Sequence, residues 1–516
     1  MYINQNAKKQ SETCIEYKLN RGMEGGSYGM GRVVRAVNLS GEAYPSVSPM
    51  GAFHRMAYPN DAVTVGSYLD HVYYNTSDGF YFDGKRKGDL AGGEKTFVNF
   101  SGKIFIFPDR AYYDIATDTM EHFFRSVTSK IRIDAVSNQF HAYFEDAREG
   151  NLAELFAGSK SVEVINSEKG LFDGGHKINS FDFSRGIVKF GHYENEISNS
   201  NTIKVTLTNA VPELRGACVC KNRIFGYDGN KIYACAFGDG ISWCDFDDES
   251  GAYRYENVGG DDFTACESVE EQCAFFTSDR IFKIYGDNVK EFTLKMASGY
   301  GGIKEGFFGG FGKVLGDVYF IDRNSIIKFS GTRSEVVCKI NDKEMISAKC
   351  YPYGNKLYFH YKTRGSERAC VLHVETGIIY ELGVEGVRGF LTLYGNLCVM
   401  TKDEIIAIDG RAENLPDTFV SDADGVSYIE FDEIHNGYDR FSPSKLYLRG
   451  RVMEGGEISI FCKLGGDGEW SKVYSIDQVG ERLLEFSLPA SLTDSFRLKI
   501  EGRGSYTINN IYVLFS

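Results

Sequence analysis

Hydrophobic residues along this chain recur in short runs, each followed by a polar turn and a second apolar run. Three clear copies, two looser ones and two single strands follow this pattern: residues 275–286 (FFTSDRIFKIYG), 319–331 (YFIDRNSIIKFSG), 398–410 (CVMTKDEIIAIDG), 73–84, 104–115, and strands starting at Lys231 and Lys356. Polar residues occupy the turns, and glycine ends the second strand, where a positive φ is tolerated. Each copy therefore predicts a β-hairpin.

These predicted strands are apolar on both faces. Residues 281–285 (IFKIY) and 405–408 (IIAI) lack the strict alternation of a sheet that faces solvent on one side. Such runs are typical of strands covered on both sides. Helical periodicity is nearly absent, and its best candidate is a short stretch at residues 151–156.

The spacing of the hairpins indicates how they are arranged. Successive hairpins at Ile232, Phe275, Tyr319, Tyr358 and Cys398 are 43, 44, 39 and 40 residues apart. A repeat of roughly 40–45 residues, with strands buried on two faces, is typical of β-propeller blades. The number of hairpins predicts six to eight blades. A row of β-sandwiches that does not close is the alternative.

Two breaks in this repeat predict further domains. Residues 105–232 contain few aromatic hairpins, which predicts a small inserted β-rich domain at 130–213. Beyond Leu415 the repeat ends, and six alternating strands with Gly-rich turns predict a β-sandwich or jelly roll. The predicted division is residues 1–129 (N-terminal segment and first blades), 130–213 (insertion), 214–420 (remaining blades) and 421–516 (sandwich).

Composition agrees with an all-β chain of short strands. The 516 residues include 58 Gly and only 9 Pro, and 14% are aromatic. No apolar run reaches the roughly 18 residues of a membrane-spanning helix, and no signal peptide is expected at the start. A net charge of −14 argues against general affinity for nucleic acid backbones.

The chain offers few candidates for chemistry. The Gly-rich segment 25–34 lacks the Gly-Lys-Ser/Thr of a phosphate loop, and 299–316 is interpreted as a connection between blades. Acidic clusters at Asp245, Asp261 and Asp422 are expected to be solvated loops, and His360 a structural histidine. We predict no catalytic, cofactor-binding or metal site and no enzymatic activity.

The twelve cysteines have no Cys-x-x-Cys spacing, and several lie in apolar strand-like runs. Such cysteines are expected to be buried, reduced thiols that pack as small hydrophobic groups. A disulfide framework and a zinc site are the weaker alternatives, because neither a secretion signal nor ligand spacing is present.

Four segments resemble propeller proteins from the structural gene blocks of tailed bacteriophages and prophages. They are residues 36–51 (AVNLSGEAYPSVSPMG), 214–235, 275–286 and 496–513 (FRLKIEGRGSYTINNIYV). Met50 departs from the arginine that often follows Ser-Pro in that family. The resemblance spans nearly the whole chain at the level of pattern.

This resemblance implies a virion tail or neck component, similar to the propeller-built nozzles of short-tailed phages. It implies a ring of copies, guessed as a hexamer, that contacts portal, adaptor or other tail proteins and passes double-stranded DNA without binding it specifically. No cofactor and no membrane insertion are expected. One alternative is a receptor- or glycan-binding tail protein that uses the C-terminal sandwich and Trp470. Another is a propeller hydrolase or lyase.

Overall fold

A computed structural model describes residues 13–17, 19, 31–136, 139–145, 155, 161–165, 167, 172–191, 202–244, 249–257, 260–305, 307, 309–340, 345–422, 425–435, 440–489 and 491–516. Regular structure in these residues is almost entirely β, which confirms the predicted all-β class. Short 3₁₀ turns at Phe183–Arg185 and Ala412–Asn414 accompany the strands. The helical stretch predicted at 151–156 lies outside the described residues apart from Leu155.

The strands are short, as the Gly-rich turns predict. In chain order they begin with β1 (Thr13–Tyr17), β2 (Val33–Val37), β3 (Leu39–Ser40), β4 (Ser48–Pro49), β5 (Phe53–Ala57), β6 (Thr64–Tyr68), β7 (His71–Asn75), β8 (Gly79–Phe82), β9 (Lys85–Asp89), β10 (Thr96–Phe100), β11 (Lys103–Phe107), β12 (Ala111–Asp114), β13 (Thr119–His122), β14 (Ser126–Val136), β15 (Gln139–Phe144), β16 (Ser161–Ile165), β17 (Gly174–Asp182), β18 (Ile187–Phe190), β19 (Thr202–Thr208), β20 (Gly216–Cys220), β21 (Arg223–Asp228), β22 (Lys231–Ala234) and β23 (Tyr253–Glu256).

They continue with β24 (Ala265–Val269), β25 (Gln272–Phe276), β26 (Ile281–Tyr285), β27 (Thr293–Ser298), β28 (Phe311–Val314), β29 (Asp317–Asp322), β30 (Ser325–Phe329), β31 (Ser334–Lys339), β32 (Met345–Tyr353), β33 (Lys356–Thr363), β34 (Glu367–His373), β35 (Ile378–Leu382), β36 (Gly389–Leu393), β37 (Asn396–Met400), β38 (Glu404–Asp409), β39 (Val420–Asp422), β40 (Ser427–Phe431), β41 (Ile434–His435), β42 (Pro443–Val452), β43 (Glu457–Leu464), β44 (Ser471–Ile476), β45 (Gly480–Ser487), β46 (Ser495–Arg503) and β47 (Tyr506–Phe515).

The repeating element is an antiparallel sheet of four consecutive strands. In the described residues it occurs as β6–β9, β10–β13, β20–β23, β24–β27, β28–β31 and β32–β35, and β36–β38 form the core of one more sheet. The predicted hairpins are confirmed, for example by the pairing of Phe275 with Phe282 and of Cys398 with Ala407. Phe275, Phe276 and Ile405 are fully buried, as expected for sheets that are covered on both faces.

The chain divides into two compact units. One comprises Met1–Val72, Gly309–Lys328 and Glu335–Ser516, and the other comprises Tyr73–Phe308 and Phe329–Ser334. Both cores are built from strand side chains, because the described residues contain almost no helix to cover the sheets.

A closed barrel interrupts the second unit; it begins at Ser126, four residues before the span 130–213 that was predicted as an insertion. Its strand order is β14-β15-β18-β17-β16-β19, around a core that includes Ile131, Val188 and Leu207. The sheets on either side are neighbours, because Thr96 Oγ1 before the barrel donates to the Arg215 carbonyl after it at 3.0 Å. The barrel is therefore inserted between two consecutive repeats.

In the first unit, the N-terminal strand β5 completes the sheet of β36–β38. Strand β38 pairs antiparallel with β5, with Ile405 opposite Met56. The Arg55 guanidinium holds this edge through Glu404 at 2.5 Å and Asp422 at 3.0 Å. Strands about 350 residues apart in sequence thus form one sheet.

The C-terminal strands, joined by the N-terminal strand β1, form two sheets that pack face to face. One sheet has the order β1-β47-β42-β45, and the other contains β40-β46-β43-β44. Aromatic contacts join them, with ring centroids of Tyr17 and Phe431 4.5 Å apart and those of Phe496 and Phe515 5.5 Å apart. The second sheet continues through β2 into β32–β35, a connection that the sequence pattern did not indicate.

Candidate functional site

A cleft of the first unit lies at the ends of β33, β37 and β38. It encloses about 490 Å³ between the turn at Tyr353–Lys356 and the segment that follows Asp409. An adjoining cavity of about 280 Å³ shares Lys356 and Asp409 with it. The wall of that cavity includes Glu42 and residues 48–51, which belong to the early segment that carries the phage resemblance.

A buried lysine occupies the boundary between the two spaces. The Lys356 ammonium donates to Glu42 Oε1 and to Asp409 Oδ2, each at 2.8 Å. The Tyr358 hydroxyl donates to the same Asp409 oxygen. The side chain of Lys356 is 10% exposed and that of Asp409 is 21% exposed. Both are therefore mostly buried, and a small part of each is accessible to solvent.

The local sequence explains why these groups meet. Lys356 is the first residue of β33 after the turn Gly354–Asn355, and Asp409 is the last residue of β38. Gly410 follows with φ of +123°, and a Cβ at this position would overlap Asn396 Oδ1. Glycine therefore lets the chain leave β38 close against β37 and directs residues 411–414 along the rim of the cleft.

The surroundings shift the pKa values of three groups at this site. Burial lowers the pKa of Lys356, but hydrogen bonds to Asp409 and Glu42 outweigh burial and leave the pKa above its ordinary value. Burial and the Asp409 carboxylate raise the pKa of Tyr358. Burial lowers the pKa of the nearby His373 to about 4. A raised pKa favours the protonated ammonium over the nucleophilic amine, so this cleft is suited to hydrogen bonding rather than to imine formation.

The other sequence candidates are dispersed. Residues 25–30 and 245–248 lie outside the described residues, whereas Asp261 and Asp262 are exposed. His360 is buried and contacts Glu367 Oε1 at 2.6 Å, and burial lowers its pKa. In the part of the chain that is described, no group of three or more His, Cys, Asp or Glu side chains is placed to hold a metal ion. No described helix is long and apolar enough to cross a membrane.

Cysteines behave as the sequence predicts. The twelve cysteines, all of them among the described residues, are in the thiol form, and nine of them are buried. Cys218 and Cys273 pack between the sheets β20–β23 and β24–β27, with their sulfur atoms 3.5 Å apart. Burial raises the pKa of Cys266 and Cys273 well above the ordinary value, so these thiols are protonated and poorly nucleophilic.

Trp470 lies before β44 and is half-buried. Its ring is covered by cations of β46, with Lys499 Nζ 5.2 Å and Arg497 Cζ 5.8 Å from the ring centroid. Such cation–π contacts stabilise the sheet and occupy part of the ring surface.

No protein-family model and no curated protein sequence matches the chain. Among solved structures, it is similar to PorZ, a surface component of the type-IX secretion system of Porphyromonas gingivalis, with a TM-score of 0.28, 9% identity, and coverage of 91% of this chain and 81% of PorZ. It is also similar to an exo-β-1,3-galactanase from Phanerochaete chrysosporium, with a TM-score of 0.23, 12% identity, and coverage of 74% and 95%. A family 43 arabinofuranohydrolase from Bacillus subtilis gives a TM-score of 0.19, 10% identity, and coverage of 75% and 95%. Scores this low carry no inference about function.

Proposed function

We propose that the chain is a structural component of a tailed-phage virion, located in the tail or neck, where several copies form a ring around the DNA exit channel. In this proposal the repeated four-stranded sheets are blades of a β-propeller, and the barrel and C-terminal sandwich contact neighbouring copies and portal, adaptor or other tail proteins.

The observation that carries the proposal is the completion of the β36–β38 sheet by β5. A strand from the beginning of the chain that closes the last repeat is how a propeller joins its first and last blades. The first strands of successive sheets, β28, β32, β36 and β6, also pack in succession within the first unit. A closed stack of sheets resists deformation, because every blade is covered by its neighbours.

Charge supports a passive channel. The net charge of −14 repels phosphates, so a ring of such chains guides DNA without retaining it. The Lys356–Asp409 network adds no free nucleophile, and the proposal assigns the chain no catalytic step.

Native mass spectrometry of the purified chain tests the ring. We expect a single closed oligomer of six copies and no retention of double-stranded DNA on a filter at 150 mM salt. Arg55→Ala removes both ion pairs that hold β5 and should weaken the oligomer, whereas exposed Arg451→Ala on β42 should not. A chain that stays monomeric at high concentration and inside purified particles would refute the proposal.

The second candidate function is receptor or glycan binding by the C-terminal sandwich. It is favoured by one observation, the half-buried Trp470 at the edge of a sheet face that carries Arg497 and Lys499. Binding of whole bacterial cells that is lost in Trp470→Ala, with an unchanged unfolding temperature, would support it.

A further inference from the structure

The cleft at Lys356 contains hydrogen-bonding groups that the protein itself does not use. Asp409 accepts the bonds from Lys356 and Tyr358 through Oδ2, and Oδ1 receives none from the described residues. Lys356 uses two of the three N–H donors of an ammonium, for Asp409 and Glu42. One oxygen of Asp409 and one N–H of Lys356 are therefore without a hydrogen-bond partner among the described residues, and both residues line the cleft.

The rim of the cleft adds further groups of the same kind. Asn355, Arg411 and Asn414 are exposed, and within the described part of the chain their side chains make no hydrogen bond. Tyr353 is fixed differently, because its hydroxyl donates to the Gly395 carbonyl at 2.6 Å while the residue remains partly exposed. The cleft thus combines an anchored aromatic ring with several free donors and acceptors.

The balance of charge selects the chemical class of ligand. The two cations Lys356 and Arg411 are balanced by the two carboxylates Asp409 and Glu42, so these four side chains carry no net charge. A phosphate or a polyanion gains little here, since the buried ammonium is already neutralised by both carboxylates. An apolar ligand would leave the cleft's polar groups without partners, which costs free energy. The best match is a neutral ring with many hydroxyl groups and an apolar C–H face.

The geometry points to a saccharide-binding site in this cleft. Vicinal hydroxyls would bridge Asp409 Oδ1 and the free Lys356 donor, the rim amides and guanidinium would bind further hydroxyls, and a sugar face would pack on Tyr353. A volume of about 490 Å³ lies in the range of small-molecule sites. This inference does not rest on the proposed virion role and concerns a site distinct from Trp470.

The test is binding of the full-length chain to an array of neutral and acidic oligosaccharides, followed by saturation-transfer NMR on the strongest ligand. We expect neutral glycans to bind. Arg411→Ala and Asn414→Ala each remove an exposed group without a protein partner, so they should leave the unfolding temperature unchanged. Each should weaken binding roughly tenfold, the effect of one lost hydrogen bond. Tyr353→Ala should weaken binding at least as much.

Arg451→Ala and Trp470→Ala serve as controls. Both should bind the glycan like the wild-type chain, and a loss confined to Trp470→Ala would move the site to the C-terminal sandwich and overturn the inference. It would equally be overturned if no glycan bound the wild-type chain, if binding survived in both rim variants, or if a double-stranded oligonucleotide or a polyglutamate peptide displaced the glycan.

Discussion

His373 should make the stability of the first unit depend on pH. The residue is 7% exposed, and its ring packs edge-on against Tyr380 with the centroids 5.9 Å apart. Its Nε2 lies 3.5 Å from the Gly41 backbone nitrogen. Burial first, and then the Lys356 ammonium, lowers the pKa of His373 from 6.5 to about 4. The folded protein therefore holds this imidazole neutral at neutral pH.

The sign of the effect follows from proton binding. Between pH 4 and pH 6.5 the unfolded chain binds a proton at His373 that the folded chain does not bind, so stability rises with pH across this interval. The contribution is complete above about pH 7 and is lost as the pH falls. Lowering the pKa of His373 from 6.5 to about 4 corresponds to a loss of unfolding free energy, relative to neutral pH, of roughly 2 kcal/mol at pH 5 and about 3 kcal/mol at pH 4.

The assay measures the unfolding free energy in urea at pH 7, 6 and 5. The readout is hydrogen exchange of the β33–β35 amides, with each exchange rate corrected for its intrinsic dependence on pH. We expect the His373→Gln variant to be less stable than the wild-type chain at pH 7. Between pH 7 and pH 5, however, its unfolding free energy should fall by about 2 kcal/mol less than that of the wild-type chain. His435→Gln, whose side chain is 59% exposed, is the matched control and should follow the wild-type curve. Parallel curves for wild type and His373→Gln would refute the reasoning.

Three further predictions concern the same unit and the thiols. Gly410→Ala places a Cβ against Asn396 at a positive φ and should lower the unfolding free energy by about 1–3 kcal/mol; an unchanged urea midpoint would contradict this. Lys356→Met leaves two carboxylates without their ammonium and should lower the unfolding free energy by about 2 kcal/mol. In the same urea titration, replacing the half-exposed Lys362 by Met should lower it by less than about 0.5 kcal/mol. In a thiol titration of the native chain, exposed Cys14 should react first and the nine buried cysteines only on unfolding; immediate reaction of all twelve would exclude the packed cores described here.

Local pattern was sufficient to predict the hairpins. Phe275–Phe276 and Ile281 lie in strands that are joined by a polar turn, and both strands are buried on two faces, so the sequence alone indicates pairing and burial. The barrel strands are harder to predict. The insertion at residues 130–213 is predicted only because the hairpin repeat is interrupted there, and not from a hydrophobic pattern within these residues.

Long-range pairing lay beyond the sequence signal. Nothing in residues 53–57 indicates that they pair with β38, because the backbone groups at this sheet edge could form hydrogen bonds with any strand of suitable pattern. The cleft was missed for the same reason: Glu42, Lys356 and Asp409 are far apart in sequence and meet only through the fold. One usable signal was present, since Lys356 and Asp409 each stand at the end of an apolar strand beside a glycine-containing turn.

The most direct test of the central claim is an electron cryo-microscopy reconstruction of the assembled particle that contains this chain. We expect several copies in a closed ring around the tail axis, each with its four-stranded sheets arranged radially and β5 closing the last of them. A reconstruction in which the sheets of each copy form an open row, or in which the chain lies away from the DNA path, would contradict it.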